Sequence, residues 1–168
     1  VAQNSGPKYD RGERDWTWQG KILTSDDGGN TWLNRANFPF MHARPFVTGN
    51  AIYVLGHASD LMIVRSDDGG VTWSEPAALT EGQFWHQAPC NVHYANGYVY
   101  LVMERRITSD IQTWYVGELA PVLLRGSLET DLRERSNWTF ASELSFRDAL
   151  PQVETDPAID YFGVPFYE

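Results

Sequence analysis

Apolar and polar positions along the chain fall into short runs broken by turn residues. ARPFVTG (43–49) stops at a Gly-Asn turn, and AIYVLGH (51–57) and LMIVRS (61–66) follow at once. Each run is apolar, rich in β-branched residues and bounded by turn formers, which predicts three successive strands. SEPAAL (74–79) predicts a short outer strand, where a proline is tolerated at an edge. The order then returns with APCNVHYANG (88–97), YVYLVMERR (98–106), TWYVGELAPVLLRG (113–126) and NWTFASEL (137–144). One further strand is predicted before these units, around 16–24, and one more near DYFGVPFY (160–167). No segment carries a helical period, so the expected class is all-β.

The units are marked by a repeated octapeptide. SDDGGNTW starts at Ser25 and SDDGGVTW at Ser66, 41 residues on, with seven of eight positions identical. Asp27 and Asp68 suit a turn because their carboxylates can accept from N–H groups of their own loop. Gly29 and Gly70 permit positive φ. Ser25, Thr31, Ser66 and Thr72 can tie the loop ends, while Trp32 and Trp73 offer large apolar faces. An acidic glycine-rich turn also has the composition of a Ca²⁺ loop, but hairpin demands account for every residue, and no metal ligand set is assigned. A weaker third copy is expected at SLETDLRERSNW, which keeps Ser127, Asp131 and Trp138 in order; TSDIQTW (108–114) is a shorter echo after a second strand and not a third.

The pattern S-x-D-x-G-x-T-W resembles the Asp-box, or BNR repeat, of the sialidase (neuraminidase) superfamily. A spacing of about 40–45 residues suits a four-stranded propeller blade. The resemblance implies a β-propeller of four-stranded antiparallel blades, six when complete. This chain would cover about three to four of them: part of a blade over 1–40, blades at 41–80 and 81–145, and the start of another at 146–168. Propellers close with roughly 4–8 blades, so the chain is expected to be a piece of a longer one.

Composition narrows the partners. The net charge is −9, with two lysines against eleven arginines and no basic run, which argues against nucleic acid or an anionic membrane. Arginine excess fits recognition of carboxylates, which its planar fork grips in pairs. No stretch reaches the roughly 18 apolar residues of a membrane helix, and no secretory leader pattern stands at the start. The single cysteine, Cys90, has no internal disulfide partner. Asn137-Trp138-Thr139 matches the N-glycosylation sequon, a pattern frequent by chance.

The resemblance also orients the chemistry. In that family the boxes join third and fourth strands on the face away from the active site. Loops alternate ends in an up-and-down blade, so the opposite end would be built from 38–44, 56–60, 80–89 and 104–112. These segments hold His42, Arg44, His57, Asp60, Trp85, His86, Glu104, Arg105, Arg106 and Asp110. Asp60, His86 and Glu104 are the expected acid–base groups. Arg44 and Arg105 would bind an anionic group, with His57 and Arg106 as further substrate contacts and Trp85 as a sugar platform. Arg44-Pro45 is similar to the family's Arg-x-Pro element without its middle residue, and Asp10 is another acid candidate. The family's tyrosine nucleophile would lie beyond residue 168. The expected function is therefore a sialidase-like exo-glycosidase, secreted or periplasmic, acting on terminal acidic sugars of a glycan and needing no cofactor. Oligomeric state is left open. The alternatives are a non-catalytic propeller that binds a glycan or protein, and a polysaccharide lyase on the same fold.

Overall fold

The computed structural model describes residues 2–7, 16–87, 91–110, 115–141 and 143. The fold is all-β. The strands among the described residues are β1 (Ala2–Pro7), β2 (Trp16–Thr24), β3 (Leu33–Phe38), β4 (Met41–Thr48), β5 (Ala51–Ala58), β6 (Asp60–Ser66), β7 (Ala77–Ala78), β8 (Trp85–Gln87), β9 (His93–Ala95), β10 (Tyr98–Arg106), β11 (Leu119–Ser127) and β12 (Trp138–Phe140). Two short 3₁₀ turns, Val116–Glu118 and Arg135–Asn137, are the only helical segments among the described residues.

The strands form three antiparallel sheets, in the orders β1-β2-β3, β4-β5-β6-β7 and β12-β11-β10-β8, with β9 also paired to β10. Only the middle sheet has the four strands expected of every unit. The first adds a strand, β1, that the apolar pattern does not announce: AQNSGP is polar, and it is held by its register with β2. In the third sheet only β9 falls within the expected first strand over 88–97, and β8, at 85–87, comes from the segment expected as a loop. β8 lies opposite Met103, Glu104 and Arg105, whereas β9 lies opposite Tyr98, Val99 and Tyr100. The sheets do not close on themselves into a ring. The segment 146–168, expected to open a further unit, lies outside the described residues, as do Asp10 and Cys90.

The core sits between sheets, and strand alternation explains why the middle sheet is buried on both faces. Tyr53, Leu55, Leu61 and Ile63 pack with Trp85, Val99, Leu101, Met103, Val122 and Leu124 of the third sheet. Val54 and Val64, on the other face, pack with Ile22, Phe38 and Phe40. Each such burial contributes about 1.5–3 kcal/mol. Two backbone bonds fix the approach to the third sheet: Leu79 N–H donates to Leu61 O and Trp85 N–H to Ser59 O, both at 2.8 Å.

Candidate functional site

Three imidazoles and a carboxylate from four strands meet at the end of the sheets opposite the repeated loops. The register of β4 and β5 slips between Met41 and Arg44, and His42 takes a left-handed φ of 50° in that bulge. A bulge re-aims the side chain it carries. Here it brings His42 Nδ1 to 2.9 Å from His57 Nε2. Gly56 makes the approach possible, since a Cβ there would stand 2.5 Å from the Met41 carbonyl oxygen. His86 on β8 lies directly across from Glu104 on β10, with Nδ1 3.1 Å from Oε2. A carboxylate oxygen accepts, so His86 Nδ1 is the donor of this bond. The ring of His86 is 5.1 Å from that of His42 and 5.8 Å from that of His57.

Burial disfavours the charged form of two of the three imidazoles. Burial pushes the His57 imidazole down to about 3, with the neighbouring His42 and His86 acting in the same direction. Burial also lowers His42, helped by His86. An imidazole hydrogen-bonded to a carboxylate is a pair that can exchange protons, so the arrangement suits general acid–base chemistry. Among the described residues no group of three or more His, Cys, Asp or Glu has the disposition of a metal site.

A second shell of aromatic and charged groups borders His86. The Arg106 guanidinium stands 4.4 Å from the Tyr115 ring centre and 5.7 Å from that of Phe84. Glu118, 1% exposed, accepts from Arg106 Nε at 2.8 Å and from the Asp110 N–H at 2.6 Å. These bonds tie Glu118 to the end of β10 and to Asp110, and Tyr115 stands edge-on to His86, ring centres 6.3 Å apart. Neither Tyr115 nor Glu118 stands out in the sequence. The available signal was register: Arg106 pairs with Leu119, so an acid just before β11 falls beside it.

The expected site residues divide. His57, His86 and Glu104 come together, joined by His42. Arg44 is buried on β4, on the face that it shares with Phe46, and so enters the wall between the second and third sheets. Asp60 does not stand as an acid. Its oxygens accept from the Thr80 hydroxyl at 2.8 Å and from the N–H groups of Gly82 and Gln83 at 3.0 Å, which anchors the loop before β8. Trp85 is no platform: it is fully buried, its indole N–H donates to Gln83 Oε1, and its ring abuts Phe140. Arg106 is committed to Glu118, and Arg105 pairs with Glu143, so neither presents a guanidinium reserved for a substrate. A cavity of about 820 Å³ opens beside Asp60, Thr80, Gln83, Arg135 and Phe140, but its walls include none of the three histidines or Glu104.

No family model matches the sequence, and no curated protein matches it. Among solved structures, the chain is similar to a protein of unknown function from Dyadobacter fermentans DSM 18053. The identity is 16% over 77% of this chain, with a TM-score of 0.50, and the chain spans 38% of that protein's length. At this identity the likeness concerns the fold.

The repeated loops form the opposite end. In the first, Ser25 Oγ accepts from the Gly29 N–H at 2.7 Å, and Asp27 accepts from the Thr31 N–H at 2.9 Å and its hydroxyl at 2.6 Å. The second reproduces this with Ser66, Gly70, Asp68 and Thr72 at 2.9, 2.9 and 2.6 Å. The Thr31 and Thr72 donors come first among the bonds that hold Asp27 and Asp68 down to about 2. Each loop's Trp donates its indole N–H back to the loop: Trp32 to Gly29 O and Trp73 to Gly70 O. The degenerate copy joins β11 to β12 and keeps the same device, with Trp138 donating to Leu132 O at 2.8 Å. Asn137 of the sequon donates its amide to Asp131 O, a bond within the same loop.

Proposed function

We propose that the chain is part of a sialidase-like Asp-box β-propeller that hydrolyses a terminal glycosidic bond of an acidic glycan outside the cytoplasm, with His86 and Glu104 as its acid–base pair. One observation carries the reading: His42, His57, His86 and Glu104 converge from β4, β5, β8 and β10 at the end away from the loops that resemble Asp-boxes. Glycosidic cleavage needs a proton acceptor for water on one side of the scissile bond and a proton donor on the other. His86 and Glu104, hydrogen-bonded across β8 and β10, are the pair offered for these roles. The arginines here are less available than a carboxylate clamp requires, so the acidic sugar need not be sialic acid.

The test is release of a fluorescent aglycone from aryl glycosides of N-acetylneuraminic acid and of uronic acids by the protein and by Glu104→Gln. Cleavage of one of these, with kcat reduced about 10²-fold or more in the variant, is the expected result. An unsaturated product absorbing in the ultraviolet would replace hydrolysis by β-elimination. Glycan binding without turnover would leave a binding module.

A further inference from the structure

We infer that the loop from Ser127 to Trp138 is a strap that holds the third sheet against the second, attached through Asp131 and the Leu132 N–H. The repeated loops show what this loop has exchanged. Ser127 and Trp138 stand four positions further apart than Ser25 and Trp32 or Ser66 and Trp73. In both repeats the aspartate accepts from the threonine of its own loop. No threonine follows Asp131 within the third loop. Its carboxylate accepts from Arg133 at 2.6 Å and, across the sheets, from the Tyr53 hydroxyl at 3.4 Å. Arg65 Nη1 stands 3.4 Å from the second carboxylate oxygen.

The attachment points lie side by side on the second sheet. Tyr53 on β5 pairs in register with Arg65 on β6, so both reach the loop from one place. The Tyr53 hydroxyl is used twice: it donates to Asp131 and accepts from the Leu132 N–H at 3.3 Å. A buried backbone N–H needs an acceptor, and here the acceptor belongs to the other sheet. The Leu132 side chain is fully buried and packs in the core between the second and third sheets. Gly126 on β11 leaves room for it, since a Cβ there would stand 2.7 Å from Leu132 Cδ2. Bonds from Arg133, with the Arg65 charge behind them, hold the Asp131 carboxyl well below the ordinary carboxylate range, so the strap carries a fixed negative charge.

The consequence reaches the histidines. His42 and His57 stand on the second sheet, and His86 and Glu104 on the third, so the group exists only while the two sheets are seated together. The Trp85 N–H bond to Ser59 O ties the same two sheets next to His86. Loosening the strap should therefore be felt at Trp85. This inference goes beyond the glycosidase reading and does not depend on it, since it concerns how the site is assembled and not what the site cleaves.

Amide hydrogen exchange of the full chain, with and without Tyr53→Phe, tests it. Exchange at the Leu132 N–H should rise about tenfold or more, and exchange at the Trp85 N–H should rise with it. The Gly29 and Gly70 N–H groups, bonded within their own loops, should stay within a factor of about two. A rise at Leu132 alone makes the bond local and overturns the strap. So does an equal rise at all four amides, which means a general loss of stability, and so does an unchanged Leu132. Asp131→Asn keeps the side chain's shape without its charge and gives a second reading if Tyr53→Phe does not fold. It should speed exchange at the same two amides and spare Gly29 and Gly70. Together the two substitutions should shift the unfolding equilibrium by about threefold or more less than the product of their separate effects. A simple product would put Tyr53 and Asp131 in separate contacts and overturn the inference.

Discussion

The two ends of the sheets use polar residues in opposite ways. At the repeated loops, the Ser, Asp and Trp side chains that close the turn bond to atoms within four residues of themselves: Ser25 to Gly29, Asp27 to Thr31, Trp32 to Gly29. At the other end the partners are far apart in sequence: His42 with His57, His86 with Glu104, Asp60 with Thr80, Arg106 with Glu118. A loop that satisfies itself can be copied anywhere, which is why two octapeptides with different neighbours have nearly the same bond lengths. A site assembled across strands exists only once the sheets have packed. Side chains with no local partner must find one across the gap, as His86 does in Glu104.

The largest break in this comparison is aimed at the wall behind the histidines. Trp85 fills the contact between the second and third sheets directly beside His86. Trp85→Ala should cost about 3–5 kcal/mol, the range for truncating a buried aromatic, measured by urea unfolding. A Trp85 that served a ligand would show the reverse, with little change in stability and a loss of binding. The non-local end should therefore fail as a unit, while an equal truncation in one repeated loop leaves the other loop intact.

How much of this was legible in the sequence follows the same division. Strands β5, β6 and β10 stand where the apolar runs put them, because a period of two and flanking turn residues are local signals. The repeated loops were readable for the same reason, and Trp138 makes an indole bond back to its own loop although that loop lacks their glycines. The face that carries the histidines was readable once the boxes fixed which loops lie together. What was not readable is which polar residues of that face are spent on structure. Asp60 and His86 are both single polar residues near strand ends. Only the fold shows that three donors surround Asp60, whereas His86 has Glu104 across the strand. Trp85 was misjudged because a loop tryptophan looks like a platform until the neighbouring sheet covers it. β1 escaped notice because its residues, AQNSGP, carry no apolar run.

Acid should act on the two ends at different pH. His57 titrates near 3 in the fold against an ordinary value of 6.5. Between those values the unfolded chain binds a proton that the folded one refuses, so stability falls as pH drops from 6.5 toward 3. The slope approaches about 1.4 kcal/mol per pH unit for one such group. Asp27 and Asp68 are held down to about 2 from 3.8, so their stabilisation persists above pH 3.8 and fades only as pH falls through 2. Thermal midpoints measured from pH 7 to 3 should decline from about 6.5 downward, and His57→Leu should flatten the slope between 6.5 and 4. A decline beginning only below pH 4, unaffected by His57→Leu, would assign the acid sensitivity to the boxes.

The smallest effect separates what the loops share from what they do not. Trp32 and Trp73 make the same indole bond, at 2.9 and 3.0 Å. Their surroundings differ: Trp32 is 59% exposed, while Trp73 packs against the cluster of Ile22, Phe38, Val54 and Val64 between the first and second sheets. Trp73→Ala should therefore cost about 2 kcal/mol, part of the range for a fully buried aromatic. Trp32→Ala should cost about 1 kcal/mol or less, since it loses one hydrogen bond and little buried area. Urea midpoints of the two variants measure the difference. Equal costs would mean that the loop's own bonds dominate and that sheet packing adds nothing. Unequal costs in the stated order would show that one octapeptide, identical in its internal bonds, contributes to stability only as far as a neighbouring sheet covers its tryptophan.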